Sequence, residues 1–305
     1  MKSPLLFPVK FENNTIFVLD ETALPFKEEY IQVSDLDKAL WVLKEMKTRS
    51  LGQVLLFFYC CILFKEMDCD QLAERFKPKR PTFDFSMLAK IVKEQVKRGI
   101  SVEVAVDNFV LGFDLLRRKR AQRLAAVLPD AGGIATICNV NGELIYLYEE
   151  LKKLGKEAVF YVSETRPYLQ GTRLTFWELR RNAVPCKLIC DSQVASLMKL
   201  GMVKAVVTGA DRASTQGDII NKIGTYALAR LARHFALPFY ALIQYPRDID
   251  IDSIAIEERD PREAFLYLQG DHSGTEAVYP AFDITRKEYI TKVFELGSVH
   301  GVARA

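Results

Sequence analysis

Two stretches in the second half of the chain set charged and amide side chains just after short apolar runs. One is Glu164-Thr165-Arg166-Pro167-Tyr168-Leu169-Gln170-Gly171-Thr172-Arg173, which follows Ala158–Val162. The other is Gly209-Ala210-Asp211-Arg212, continued by Asn221-Lys222-Ile223-Gly224-Thr225-Tyr226, which follows Val203–Val207. Each apolar run reads as a strand, and ligands bind at the carboxyl ends of strands in open parallel sheets. Arg, Asp, Gln, Asn and Lys at two such ends suit a small polar anion. Gln170 and Arg173 on one side, with Asn221 and Lys222 on the other, can orient a hydroxyl and a phosphate. The arginine fork suits paired phosphate oxygens.

Cys138 follows the apolar run Ile134–Ile137 and precedes a predicted helix. Two readings fit it: a small buried hydrophobe, or a thiol whose pKa a helix N-terminus lowers. Asp211 also has two readings. It is a turn aspartate, or a carboxylate that moves a proton to and from a carbon-bound hydroxyl. Arg49 and Arg80 fall on helix interruptions in the first half, where each alone reads as a surface residue. His234, His272 and His300 have no carboxylate or serine partner at a strand end, which argues against a Ser-His-Asp hydrolase. No metal-ligand cluster is visible. There is neither a GxGxxG turn after a strand nor a Walker loop, so a dinucleotide or a nucleotide triphosphate is not indicated.

The elements that must hold these residues change character along the chain. Residues 8–19 alternate around Asn13-Asn14, a hairpin signal. Ser34 is the predicted N-cap of a helix carrying Leu36, Ala39, Leu40 and Leu43. Further helices are expected after Gly52, near Asp70–Phe76, around Phe85–Val96, and from a Ser101 cap to about Val127. Lys79-Arg80-Pro81-Thr82 interrupts them. From Pro129-Asp130-Ala131-Gly132-Gly133 onward, short strands alternate with helices. The strands are Ile134–Ile137, Ala158–Val162, Leu188–Cys190, Val203–Val207 and Phe239–Ile243; helices are predicted near 143–154, 173–182, 193–200 and 219–235. Such alternation means βαβ units and a parallel sheet. The chain is therefore read as α/β, with an N-terminal β-hairpin and helical domain (1–128) and a Rossmann-like domain (129–305). The site is expected between them, at the strand ends.

Composition narrows the partners. With 305 residues, 49% of them apolar, the chain can bury a substantial core. A net charge of +3 lacks the basic surplus of a nucleic-acid binder. The basic run Arg117-Arg118-Lys119-Arg120 reads as a solvated helix face. Six cysteines without zinc-finger spacing, in a chain too large to need disulfide staples, point to a reducing cytoplasm. The start of the chain does not read as a signal peptide. The longest apolar run, Val54–Phe64, is well short of the roughly 20 residues that span a membrane, and reads as a buried helix.

Several segments in order resemble the methylthioribose-1-phosphate isomerases. They are Leu19-Asp20-Glu21-Thr22-Ala23-Leu24-Pro25, Ala135-Thr136-Ile137-Cys138-Asn139, the Glu164–Leu179 stretch, Gly209-Ala210-Asp211-Arg212 and Gly217–Tyr226. Ile256-Glu257-Glu258-Arg259-Asp260-Pro261 and Pro280-Ala281-Phe282-Asp283-Ile284-Thr285 complete the set. The resemblance runs from about residue 10 to the end. The wider group holds the regulatory subunits of translation initiation factor 2B and the ribose-1,5-bisphosphate isomerases.

This resemblance implies a cofactor-independent aldose–ketose isomerase of a pentose 1-phosphate, expected as a cytoplasmic homodimer. Cys138 and Asp211 match the catalytic pair. Arg49 and Arg80 match anion-binding arginines, and Gln170, Asn221 and Lys222 match substrate contacts. Because C1 carries the phosphate, the ring opens before hydrogen moves from C2 to C1, by an enediol or a hydride route. The chain departs from the family at two places. Arg49-Ser50-Leu51-Gly52-Gln53-Val54-Leu55 replaces a glycine-rich Arg-Gly-Ala-Pro-Ala-Ile-Gly, and Val140–Tyr148 replaces a longer small-residue stretch of the phosphate pocket, where Tyr146 and Tyr148 would narrow the space. The usual Asn before Gly217-Asp218 is Gln216. The alternative reading is a non-catalytic sugar-phosphate or nucleotide sensor of the initiation-factor type. A purely structural assembly subunit explains none of the site residues.

Overall fold

A computed structural model of the chain describes residues 3–80, 83–265, 267–268, 270–271, 274 and 276–297. It divides into two compact units, one up to Leu115 and one from Leu116 to the last described residue, Gly297. The change in sequence pattern lies further on, at Pro129–Gly133.

In the first unit, β1 (Val9–Glu12), β2 (Thr15–Leu19) and β3 (Tyr30–Val33) form an antiparallel sheet. Asn13 and Asn14 turn β1 into β2 with φ of 50° and 55°, the left-handed pair that a two-residue hairpin needs. β3 was not foreseen, because only Val33 of its four residues is buried and so short a run carries little alternation. Helix α1 (Leu36–Lys44) is capped by Asp35 and not by Ser34: Asp35 Oδ1 accepts the Lys38 N–H at 2.8 Å. An ionised cap interacts with the helix dipole more strongly than a hydroxyl does.

Helix α2 (Leu51–Leu63) is apolar all round and buried, as the run Val54–Phe64 predicts. Its Phe57 meets Phe76 of α3 (Cys69–Phe76) and Phe85 of α4 (Phe85–Val96), with ring centroids 5.4 and 5.5 Å apart. These rings are the centre of that unit's core. Arg80 follows the short turn that ends α3, and Pro81 and Thr82 of the predicted interruption lie outside the described residues. Helix α5 (Val102–Val127) starts at Ser101, whose Oγ accepts the Val104 N–H at 3.3 Å.

The second unit carries the parallel sheet. Its strands are β4 (Ala131–Thr136), β5 (Glu157–Ser163), β6 (Cys186–Ile189), β7 (Val203–Gly209), β10 (Phe239–Ile243) and β12 (Lys292–Glu295), in the order β12-β10-β7-β4-β5-β6. Every neighbouring pair is parallel. Helices α6 (Glu143–Lys153), α7 (Trp177–Arg181), α8 (Val194–Lys199) and α9 (Thr225–His234) alternate with the strands. A second small sheet joins β8 (Arg212–Ala213), β9 (Ile219–Lys222) and β11 (Phe282–Thr285).

Two expectations are corrected here. The helix predicted near 219–235 begins only at Thr225. Ile219–Lys222 is strand β9, buried and paired antiparallel to β11, and Gly224 with φ of 99° separates it from the helix. The basic run is a solvated face only at Lys119 and, in part, Arg118. Arg117 is 1% exposed and Arg120 2%. Arg120 pairs with the buried Glu143 through Nε at 3.0 Å and through a second contact from Nη2. Buried carboxylate and carbonyl acceptors can take arginine below the surface.

Candidate active site

Chain direction through the sheet reverses between β4 and β7. From β4 the chain moves outward to β5 and β6, then returns to the other side of β4 as β7. Ligand crevices of open α/β sheets form at this kind of switch point, beyond the carboxyl ends. Cys138 lies just past β4 and Asp211 just past β7. Ala135 pairs with Val206, so the same step along both strands brings Cys138 level with Gly209. A Cβ added at Gly209 would lie 3.1 Å from Val140 Cγ1 and 4.0 Å from the Asn139 carbonyl oxygen. The loop after Cys138 therefore rests on the end of β7.

The Cys138 backbone is held from two sides. Its N–H donates to Thr165 Oγ1 at 2.9 Å, and its carbonyl accepts from Thr175 Oγ1 at 2.6 Å. Cys138 has φ of 63°, in a region costing a non-glycine residue about 1–3 kcal/mol. The two threonines over-determine that conformation. Thr165 is fixed in turn: its N–H and that of Arg166 donate to Asp191 Oδ1 and Oδ2 at 2.9 and 2.7 Å. Helix α6 starts only at Glu143, after Gly142 at φ 81°, so Cys138 does not sit directly at a helix N-terminus. The half-buried Cys138 nevertheless ends a strand in a strained, clamped turn, unlike a core cysteine.

Gln170 is 3% exposed, and its Oε1 has no partner among the described residues. Gly171 follows it against the Ser163 carbonyl, where a Cβ would come within 1.8 Å. Only glycine allows this approach of the Gln170 segment to the Thr165 turn. Half-buried Arg173 lies over the Tyr168 ring at 5.0 Å. Asn221 is buried on β9 and its Nδ2 donates to Thr208 Oγ1 and Thr225 Oγ1, each at 2.9 Å. Lys222 is also buried, with Nζ 4.6 Å from the Phe282 ring centroid. Asp211 is exposed, and its N–H donates to the Ile220 carbonyl at 2.9 Å, which joins the β7 end to β9. A Cβ at Gly224 would meet Ile137 Cδ1 at 3.0 Å, so the start of α9 closes the same end of β4. Cys138, Gln170 and Asp211 thus follow β4, β5 and β7 of the parallel sheet, while Asn221 and Lys222 lie on β9 of the small sheet, which the Asp211 N–H ties to the end of β7. Arg49 and Arg80 belong to the first unit. There the Arg49 N–H donates to Glu21 Oε1 at 3.1 Å.

Several positioning groups escaped the sequence reading. Thr165, Thr175 and Asp191 act through backbone hydrogen bonds, which no spacing rule reveals. Asp283 had a visible signal, since it lies in the family-like segment Pro280–Thr285; the structure pairs it with Asn221 across β9 and β11. Its carboxylate accepts the Gly224 and Tyr226 N–H groups at 2.7 and 3.1 Å, capping α9. Burial pushes its pKa up to about 6, while those two N–H groups and the charge of Lys222 pull the other way. Tyr146, expected to narrow the space, is instead 2% exposed beneath Arg118, whose guanidinium lies 3.9 Å from the ring centroid. The six cysteines form no disulfide, and the described residues show no cluster of metal-ligating groups and no helix long and apolar enough to cross a membrane.

The threonine clamp is open to test. Thr165→Val leaves the Cys138 N–H and the Ser163 carbonyl without their hydroxyl, a cost of about 1–3 kcal/mol for buried polar groups. Urea unfolding is expected to show that loss, with catalytic turnover lowered as well. Unchanged stability would mean that other contacts hold the Cys138 turn.

Comparisons with known proteins agree with this geometry. The sequence pattern described as "Initiation factor 2 subunit family" matches residues 89–300. Methylthioribose-1-phosphate isomerase of Thermus thermophilus is 32% identical over an alignment covering 94% of this chain and 92% of that protein. The protein of the same name from Aquifex aeolicus is 31% identical, over 94% of this chain and 67% of its own length. The crystal structure of 5-methylthioribose 1-phosphate isomerase from Pyrococcus horikoshii superposes with a TM-score of 0.80 at 26% identity, covering 96% of this chain and 91% of that one. Translation initiation factor eIF-2B subunit delta from A. fulgidus gives 0.77 at 27% identity, covering 95% and 94%. The chain belongs to the initiation factor 2 subunit family and stands within it among the methylthioribose-1-phosphate isomerases.

Proposed function

We propose that this chain is an aldose–ketose isomerase converting methylthioribose 1-phosphate, or a close pentose 1-phosphate relative, to the ketose 1-phosphate. The observation that carries the reading is the placement of Cys138 and Asp211 at the ends of adjacent strands on either side of the switch point. A sensor would need neither residue.

The reaction moves two hydrogens. The C1–O4 bond breaks as O4 gains a proton; the hydrogen on C2 is transferred to C1, and O2 loses its proton as the C2 carbonyl forms. Asp211, exposed at its strand end, is assigned the oxygen-borne proton, taken from O2 and supplied to O4. Cys138 is assigned to the C2–C1 side. In the enediol route its sulfur takes the C2 hydrogen as a proton and returns it to C1. In the hydride route that hydrogen passes directly between the carbons, and the half-buried thiol helps to keep water away. Both routes balance without a cofactor. Gln170 and Asn221 are assigned to substrate hydroxyls. Lys222, Arg173, Arg49 and Arg80 are assigned to anionic oxygens. A homodimer and a cytoplasmic location are part of the proposal; light scattering should give twice the chain's 34.7 kDa.

The test is an isomerisation assay across pentose 1-phosphates, including the 5-methylthio and 5-deoxy forms, run in H2O and D2O. Ketose product is the expected result. Deuterium at C1 marks the enediol route, with exchange of the sulfur-borne proton before its return. Tight binding of every sugar phosphate without turnover would sink the isomerase and favour the sensor. Arg49→Ala and Arg80→Ala are each expected to weaken binding by about 1.5–3 kcal/mol, the range for hydrogen bonds to charged groups. Calorimetric titration measures this, and unchanged affinity in both variants would place the phosphate elsewhere.

A further inference from the structure

The corner that carries Arg49 contains two buried oxygens without a donor. Glu21 Oε1 accepts the Thr48 hydroxyl at 2.7 Å and the Arg49 N–H at 3.1 Å, while Oε2 has no partner among the described residues. Gln53 Nε2 donates to the Thr48 carbonyl at 3.0 Å and to Met46 Sδ at 3.4 Å, while Oε1 has no partner. Glu21 is 4% exposed and Gln53 1%. Both side chains therefore close on the same residue, Thr48, and each is left with one bare acceptor. Two such acceptors are costly in a dry site. A single proton answers both, because a protonated carboxyl gains a donor and an amide oxygen can accept it.

We propose that Glu21 is a positioning residue that keeps a proton on Oε2, donates it to Gln53 Oε1, and through Oε1 fixes the Thr48-Arg49 segment in the path from which Arg49 meets the substrate phosphate. This rests on Arg49 as a phosphate residue. The local backbone needs such a brace. Ser50, at the start of α2, has φ of 35° and makes no side-chain cap. Gly52 passes so close that a Cβ would lie 1.7 Å from Thr48 Oγ1.

The charges around Glu21 are those of Asp20, Arg49 and Lys47. Asp20 is held by Lys47 Nζ at 2.9 Å and by the Thr22 N–H, and its pKa is lowered despite burial. Burial raises Glu21 from 4.5 to about 7; the Thr48 hydroxyl, the Arg49 charge and the Arg49 N–H pull it down, and the charge of Asp20 pushes it up. The folded state thus binds the proton more tightly than the unfolded one. The stability that comes with it is fully present below about pH 4.5 and lost as pH rises through about 7.

Thermal melts of the parent chain and of Glu21→Gln, from below pH 4.5 to above pH 7, test the proton. The amide carries a permanent N–H where the acid carries its proton. The parent melting temperature is expected to fall across this window relative to the variant, and the Asp283 titration, common to both, cancels. Parallel curves would overturn the proposal. Calorimetric titration of inorganic phosphate near pH 6 tests positioning. Glu21→Ala is expected to weaken phosphate about tenfold, one hydrogen bond's worth, and Glu21→Gln to restore it. If Glu21→Ala does not fold, Gln53→Leu replaces it, removing the acceptor while keeping the acid. Phosphate affinity equal to the parent's in the folded variant, with Arg49→Ala weakened, overturns the positioning role. Unchanged affinity in Arg49→Ala instead removes Arg49 from the phosphate site, while the melts still decide whether Glu21 holds a proton.

Discussion

Replacing Cys138 by serine, or Asp211 by asparagine, is expected to lower turnover on methylthioribose 1-phosphate at least ~10²-fold, the lower end of general acid–base contributions. Each change keeps the side chain's shape and alters its proton affinity. Serine's hydroxyl is a far weaker acid than a thiol, and asparagine cannot take a proton from O2. Neither change disturbs the threonine clamp, since Thr165 and Thr175 bind the Cys138 backbone and not its sulfur. The Asp211 N–H to Ile220 likewise survives. Substrate binding should therefore weaken much less than turnover, the pattern for a group that acts in the transition state. Steady-state kinetics beside calorimetric titration separates the two. Near-parent kcat in either variant would remove that residue from the mechanism; a fall in affinity as large as the fall in kcat would recast it as a binding group.

The sequence made the β4, β5, β7 and β10 strands legible for a physical reason. They are inner strands, so Ile134–Ile137, Val203–Val207 and Phe239–Ile243 read as apolar runs with little alternation. Edge strand β12, Lys292-Val293-Phe294-Glu295, is half polar and shows no such run. The alternation of strands with helices then fixed where Cys138 and Asp211 fall along the chain. It could not show that they flank the switch point, because strand order is a property of pairing and not of local pattern. The conformation of Cys138 was equally hidden, since a left-handed cysteine has no propensity signal. Charge was misleading as well. Arg117 and Arg120 read as surface and are buried, because their acceptors lie far along the chain: the Asn141 carbonyl for Arg117, and Glu143 with the Ile243 carbonyl for Arg120. Ile219-Ile220 read as helix because their burial fits either period, and only pairing with β11 makes them strand.

The buried Arg120–Glu143 pair carries the largest expected effect on stability. Glu143 opens α6, and its carboxylate takes Arg120 Nε and Nη2 while Arg120 Nη1 donates to the Ile243 carbonyl and reaches that of Phe294 at 3.5 Å. One guanidinium thus ties the start of α6 to the ends of β10 and β12. Glu143→Ala would strand the arginine charge away from water, at a cost of about 3–5 kcal/mol. Arg120→Met should cost a similar amount by leaving the carboxylate bare. The double replacement Arg120→Met with Glu143→Leu removes both charges and fills much of their volume, so it is expected to lose far less than the two single losses added. Urea unfolding of the four proteins closes the cycle and reads the coupling directly. The neighbouring Arg117 holds the Asn141 carbonyl at 3.1 Å, within the loop that leads from Cys138 to α6. Loosening the α6 start should therefore lower turnover as well as stability. Single variants that cost under about 1 kcal/mol, the value of a solvent-screened surface pair, would show that water reaches the two charges and that the packing of α6 holds the loop without them.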